Sequence, residues 1–201
     1  MLRWIGGWAA VAAMIAAPAF GQDRWLIPDL PEVRLMLDGQ EQVISRVHAP
    51  KGEVCPPACL QPIKAAAGVV TFGALEVIGF LASDVVAQQG LVLDVRLPAD
   101  FAVARVPGAV NVPLPTLSAD NPYRKDILLA LGVQDAGGAL DFSKAPRVLV
   151  YGAGPMDDAA ASAVRVLIEA GYPPDMVKYF RGGLQEWQMF GLTLGGAADQ
   201  G

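Results

Sequence analysis

The sequence predicts an α/β domain in three layers, helices on both faces of a central, mainly parallel sheet, preceded by an irregular N-terminal extension. Two observations point there. Leu91-Val92-Leu93-Asp94-Val95 and Val148-Leu149-Val150-Tyr151 are short, almost unbroken apolar runs, the pattern of strands buried on both faces. The second run passes into Gly152-Ala153-Gly154-Pro155-Met156-Asp157-Asp158. An Ala-rich stretch from Ala159 to Ala170 follows without Gly or Pro, then Gly171, then Val177-Lys178-Tyr179-Phe180. Ala, Leu, Arg and Glu favour helix, and Gly ends one. Strand, loop, helix and strand together make one parallel crossover unit.

The chain has 201 residues and a net charge of -5, enough for one domain with a real core. The acidic balance, with no run of Lys or Arg, argues against nucleic acid and anionic membrane surfaces. Residues 1–21 read as a secretory signal peptide. Arg3 precedes an apolar, Ala-rich run to Phe20, and Ala19-Phe20-Gly21 offers small residues where a signal peptidase reads. The alternative, a retained anchor, is disfavoured by the short run interrupted by Gly6-Gly7 and Pro18. Cleavage removes one Arg and no acid, taking the charge from -5 to -6. The expected location is periplasmic or secreted, an oxidising compartment, with no membrane attachment after cleavage.

Residues 22–64 form the extension. Pro28 and Pro31 break up Asp23 to Asp38, and Glu41 to Val47 has the apolar content of a strand. The only His, His48, and the only two Cys, Cys55 and Cys59, then crowd into twelve residues around Cys55-Pro56-Pro57-Ala58-Cys59. Three readings stay open. A small structural disulfide fits an exported chain with an even Cys count. A redox or sulfur-handling pair lacks the two-residue spacing of a thioredoxin-like motif. A metal site using His48, Cys55 and Cys59 supplies three ligands, and no fourth is visible.

The domain proper is expected over residues 65–194. Thr71 is placed as the cap of a helix from Phe72 to Leu81, with Leu75, Ile78 and Leu81 at helical spacing. After the Leu91–Val95 strand, Phe101 to Val106 reads as a short helix or turn. Val110 and Val112 alternate with Asn111 as in a half-buried strand. Asp120 to Leu131 reads as a helix capped by Asp120 or Asn121 with Pro122 in its first turn. Residues 135–146 are expected to be loop. Gly182-Gly183 turns into a last helix, with Trp187 and Phe190 packing inward. Residues 195–201, small and polar, are expected to be disordered.

Asp94-Val95-Arg96, Phe101 and Val106-Pro107-Gly108-Ala109-Val110-Asn111-Val112-Pro113 resemble the first half of a rhodanese-like domain. Val150-Tyr151, the loop, the Ala-rich helix, Gly171-Tyr172, Gly182-Gly183, Trp187 and Gly191 resemble its second half. The ordered set covers about Val69 to Leu194. The resemblance implies a sulfurtransferase fold in which a Cys directly after the strand, or slightly later in a longer loop, carries a persulfide. Here the first position is Gly152, and Met156 to Asp158 supply no Cys either. The family's pattern further implies that Asp94 is structural and accepts backbone hydrogen bonds. Arg96 is left to line the pocket beside Asp94 or to pair with an acid.

The loop's chemistry follows from what it lacks. Sulfur transfer needs a thiolate cradled by N–H groups, and a carboxylate is no soft nucleophile. Asp157 and Asp158 also oppose a dianionic donor, by several kcal/mol at a few ångströms. At a helix N-terminus, however, they suit free N–H groups and the helix dipole. The cradle is therefore expected to be filled by the protein's own carboxylate. Gly152-Ala153-Gly154 does not make a dinucleotide loop, since the third Gly is missing. A phosphatase-like variant needs Cys and Arg, both absent from the loop. The expectation is an exported, catalytically inactive module for an unknown protein partner or small ligand, without cofactor. Two alternatives remain: sulfur transfer or thiol redox chemistry on Cys55 and Cys59, and metal handling by His48, Cys55 and Cys59.

Overall fold

The computed structural model describes residues 25–46 and 54–197. The expected signal peptide and His48 therefore lie outside the described residues. Among those described, no helix is long and apolar enough to cross a membrane.

The extension is more regular than its sequence promised. Strands β1 (Glu32–Leu37) and β2 (Gln40–Ser45) pair antiparallel, Glu32 opposite Ser45 and Leu37 opposite Gln40. Asp38 and Gly39 make the turn with φ of 51° and 76°. An Asp-Gly pair with positive φ at both positions is the preferred two-residue hairpin turn, and that dipeptide was the overlooked signal. The ribbon is shallowly packed: Met36, Leu37, Val43 and Ile44 are all exposed. Arg34 pairs with Glu32 and, across the ribbon, with Glu41.

The central sheet has five strands: β3 (Val70–Phe72), β4 (Gly90–Asp94), β5 (Ala109–Asn111), then β8 (Arg147–Tyr151) and β9 (Val177–Phe180). A small hairpin, β6 (Gln134–Ala136) and β7 (Ala139–Asp141), lies between them in sequence, where loop was expected. The sheet order is β3-β9-β8-β4-β5, and every pair is parallel. Side chains alternate across it. Val148 and Val150 face one core, with Leu93, Val177 and Tyr179. Leu149 and Tyr151 face the other, with Val92 and Phe180. This explains the unbroken apolar runs: both faces are covered.

The helices are α1 (Ala74–Phe80), continued by a π-turn over Leu81–Val85, α2 (Pro98–Val103), α3 (Leu114–Leu117), α4 (Arg124–Ala130), α5 (Ala159–Glu169) and α6 (Gly183–Met189). On one face α5 packs Ala160, Ala161, Ala163, Val164 and Leu167 against the sheet, beside Leu117 of α3 and Leu128 of α4. On the other, α1 and α6 bring Ala74, Val77, Phe80, Leu184 and Trp187. Helices thus cover both faces of the sheet and the domain has three layers, as the sequence predicts.

Four details differ from expectation. Thr71 does not cap a helix. It sits in β3, its hydroxyl donating to the Ile63 carbonyl. Because β9 draws residues 70–72 into the sheet, α1 begins after Gly73 and its buried face shifts by one residue. Leu75 is 76% exposed, while Val77 is fully buried. Glu76 accepts from the Gly73 N–H at 3.0 Å, and Glu186 accepts from the Ala74 N–H at 3.1 Å. The helix expected from Asp120 starts at Arg124, since Asn121 Oδ1 accepts from the Tyr123 N–H in a local turn. Phe190 is exposed just beyond α6; of the two aromatics only Trp187 turns inward, its Nε1 donating to the Thr193 carbonyl. Gly195 exchanges two backbone hydrogen bonds with Arg105, at 3.0 and 2.9 Å, so order extends past Leu194. Residues 198–201 lie outside the described residues.

Among the described residues, one buried side-chain polar atom lacks a hydrogen-bond partner, the Tyr179 hydroxyl. Burial is the first cause that pushes this phenol up, to about 12. Removing an unsatisfied buried hydroxyl while keeping the ring is close to neutral or stabilising. Tyr179→Phe is expected to change the urea-unfolding free energy by no more than about 1 kcal/mol, in the stabilising direction. Because this phenol is raised on folding, its titration leaves stability undiminished below about pH 10, its unfolded value. That stability fades as pH rises toward 12, so the variant should lose less stability over this interval than the parent.

Candidate functional site

The carboxyl ends of β4 and β8 lie side by side, with Asp94 opposite Tyr151 in register. Asp94 is fully buried. Arg96, two residues on, folds back over it. Its Nε donates to both carboxylate oxygens at 3.0 and 3.2 Å, its Nη2 donates to Oδ2 at 2.5 Å, and its backbone N–H donates to Oδ1 at 3.0 Å. The same Nη2 reaches the Ala104 carbonyl at 2.6 Å. Two planar groups thus meet edge to edge, the geometry in which a guanidinium best satisfies a buried carboxylate. Asn111 ties off the strand exit, donating to the carbonyls of Asp94 and Arg96 at 3.0 and 2.9 Å. The Tyr151 hydroxyl accepts from the Val106 N–H at 3.1 Å. Burial first, and then the Asp94 charge, push that phenol well above its ordinary range. Asp94 and Arg96 are spent on one another and on the backbone, and they do not line the cleft described below. For Arg96, pairing is therefore realised rather than a place in the cleft wall.

The loop after β8 closes on itself. Asp157 Oδ2 accepts from the Ala153 N–H at 3.0 Å, and Oδ1 accepts from the Ala159 N–H at 3.1 Å, the first residue of α5. One carboxylate therefore holds both ends of the loop. Asp158 is exposed and its side chain caps nothing, so of the two acids only Asp157 does this work. A Cβ built on Gly152 would lie 2.6 Å from Asp157 Oδ2 and 3.4 Å from the Ala160 Cβ. The space that a side chain at position 152 would enter is the space the carboxylate fills.

The last helix grips the loop from the other side. Leu184 and Gln185 donate to the carbonyls of Gly152 and Ala153 at 3.0 and 2.9 Å. The approach is so close that a Cβ on Gly183, at φ +56°, would meet the Gly152 carbonyl oxygen at 2.5 Å. Only Gly tolerates both that backbone angle and that contact.

A cleft of about 470 Å³ opens over the loop. Ala153, Gly154, Met156, Asp157, Asp158 and Gln185 line one part of it, and Pro57 and Ala58 of the extension line the rest. No Lys, Arg or Cys lines it. Cys55 and Cys59 form a disulfide, Cα atoms 4.7 Å apart, with both sulfurs turned inward and buried. The segment after the disulfide is fastened to the domain. The Gln61 N–H donates to the Pro155 carbonyl at 3.0 Å, and Arg181 Nε donates to the Gln61 carbonyl at 2.8 Å. Arg46, buried below the turn, donates to the Ala58 carbonyl at 2.8 Å.

The structure thus brings the extension to the loop, which nothing in the spacing of the Cys pair foretold. With both sulfurs bonded to each other, neither offers a thiolate to a metal. Among the described residues no cluster of His, Cys, Asp and Glu has the arrangement of a metal site. Sequence reasoning also missed Gln185, Pro57, Ala58 and Arg181. Arg181 directly precedes Gly182-Gly183, which was a usable signal for a cation beside the loop.

A parallel sheet with helices on both faces, and a strand-to-helix loop at its carboxyl end, defines an α/β domain with its site at that loop. A family model for the rhodanese-like domain matches residues 81–190, more than half of the chain. The chain belongs to the rhodanese-like domain family. No curated protein matches it. Among solved structures it is similar to the rhodanese-like domain of an Anabaena sp. protein, with 23% identity, 65% of this chain and 81% of that one covered, and a TM-score of 0.45. A Rhodopseudomonas palustris protein of unknown function, described as a possible tyrosine phosphatase, is similar at 20% identity over 65% of this chain and 88% of that one, with a TM-score of 0.47. A Pseudomonas aeruginosa thiosulfate sulfurtransferase is similar at 22% identity over 67% of this chain but only 21% of its own, with a TM-score of 0.43.

Two substitutions separate the roles of the acids. Asp94→Ala leaves a buried guanidinium unpaired and should cost about 3–5 kcal/mol in urea unfolding. Asp157→Ala removes the acceptor for two amides at a helix start and should cost about 1–2 kcal/mol, with the sheet's far-UV dichroism unchanged.

Proposed function

We propose that this chain is an exported, non-catalytic rhodanese-like module that binds a protein partner or small ligand at the cleft over residues 152–158. The observation that carries the reading is the Asp157 carboxylate. It occupies the space beside Gly152 and takes up the Ala153 and Ala159 amides. A thiolate needs such amides free to stabilise its charge and that of its persulfide. The loop carries no thiol nucleophile, Asp157 takes up two of the amides around it, and the two lining acids repel the thiosulfate dianion. What the cleft retains is shape, a largely apolar lining, and an acidic rim suited to an uncharged or cationic group. Export is supported by the composition of residues 1–21 and by the disulfide, which persists in an oxidising compartment.

One observation favours a second reading. The Cys55–Cys59 turn walls the same cleft, so a reduced Cys there would stand close to the loop and could carry sulfur in place of the absent thiol. A thiosulfate–cyanide assay separates the two. The inactive-module reading expects no thiocyanate above background, with or without reductant. Activity that appears on reduction and disappears in Cys55→Ala would establish the second reading instead.

The blocked loop makes its own prediction. Gly152→Cys should remain inactive, and its new thiol should alkylate slowly with iodoacetamide, because the carboxylate abuts it. Adding Asp157→Ala should speed that alkylation by at least about tenfold, the scale of one lost charge-assisted contact.

A further inference from the structure

We propose that the Cys55–Cys59 disulfide is a redox site that sets the wall of the cleft, opened by a protein dithiol of the thioredoxin-like class. Four observations converge. The ring encloses only the three residues 56–58, the bonded Cys standing four apart in sequence. So short a ring lies at the low end of what loop closure can add to global stability, and its effect is local. Two of the three enclosed residues, Pro57 and Ala58, line the cleft.

The turn also lies at the surface, joined by the Arg46 guanidinium at the Ala58 carbonyl and by the Leu60 amide at the Leu26 carbonyl. Pro56 and Pro57 are exposed, while Cys59 is 4% exposed and Cys55 is fully covered. A modest opening of this turn, without disturbance of the sheet, bares the sulfur of Cys59. Finally, the strain of any movement passes directly to the loop, because Gln61 is bonded on both sides. Its N–H goes to Pro155 in the loop, and its carbonyl is held by Arg181 beside Gly182.

A thiolate of the partner attacks Cys59 Sγ, the Cys55–Cys59 bond breaks, and Cys55 leaves as thiolate and takes a proton. The partner's second thiol then attacks the mixed disulfide, releasing Cys59 and leaving the partner oxidised. Two electrons and two protons reach the pair. Freed of its ring, the 55–59 segment no longer fixes Pro57 and Ala58 against the loop, and the cleft loses that wall. By linkage, an occupant of the intact cleft protects the disulfide from reduction. The inference rests on the cleft being the binding site, but its test needs no occupant, so failure of the gate and failure of the binding reading are distinguishable.

Amide hydrogen exchange on the full chain, oxidised and after treatment with dithiothreitol, provides the test. Reduction should raise the exchange rate of the Gln61 amide at least tenfold and that of Ala153 severalfold, while Leu149 and Val150 in β8 keep their protection. Cys55→Ser/Cys59→Ser without reductant should give the same pattern. Three results would overturn the proposal. Gln61 stays protected in the reduced chain; β8 loses protection together with Gln61, making the disulfide a global staple; or the folded chain resists reduction altogether.

Discussion

A sheet covered on both faces offers solvent only its ends. That constraint governs this molecule. All five central strands run parallel, so their carboxyl ends gather on one side, and polar groups that cannot enter the apolar layers collect there. Asp94 and Arg96 are one result. A carboxylate at the end of a fully buried strand is tolerable only with a matched cation and donors on its remaining lone pairs, and it receives both from a residue two positions away. The loop after Tyr151 is another. Its amides emerge where the sheet stops and must be satisfied there.

How they are satisfied decides what the site can do. In this chain the acceptor is internal, Asp157, and the glycine at position 152 is its steric complement. The close approach of α6 at Gly183 then fixes the Gly152 and Ala153 carbonyls while Asp157 fixes the Ala153 and Ala159 amides. These carbonyls and amides are thus engaged within the protein.

Much of this was legible in the sequence. The strands around Leu93 and Val150 announced themselves because double burial forces unbroken apolar runs, and the Ala-rich helix because nothing interrupts it. The absence of a loop thiol is a plain reading of residues 152–158. What was not legible depended on distant partners. Thr71 looked like a cap until β9 pulled it into a strand, and the buried face of α1 moved with it. Arg96 stood equally well in a pocket or in a pair, since sequence gives no distance to Asp94. The seating of Pro57 and Ala58 over the loop arises from contacts about a hundred residues away in the chain, through Pro155 and Arg181, and no local pattern encodes that. The Asp38-Gly39 turn is different: it was written in the sequence and is explained by ordinary turn chemistry.

That ribbon has a consequence for the chain's behaviour in concentrated solution. Among the described residues its two strands pair only with each other, so each keeps an open outer edge flanked by Met36, Leu37, Val43 and Ile44. An open edge with apolar neighbours is a template for backbone pairing between molecules. Arg34, Glu32 and Glu41 stand on the same ribbon, and as exposed ion pairs they add only about 0–1 kcal/mol of stability. Their larger service is colloidal: buried charge is the toll that any second molecule would meet in docking along that edge.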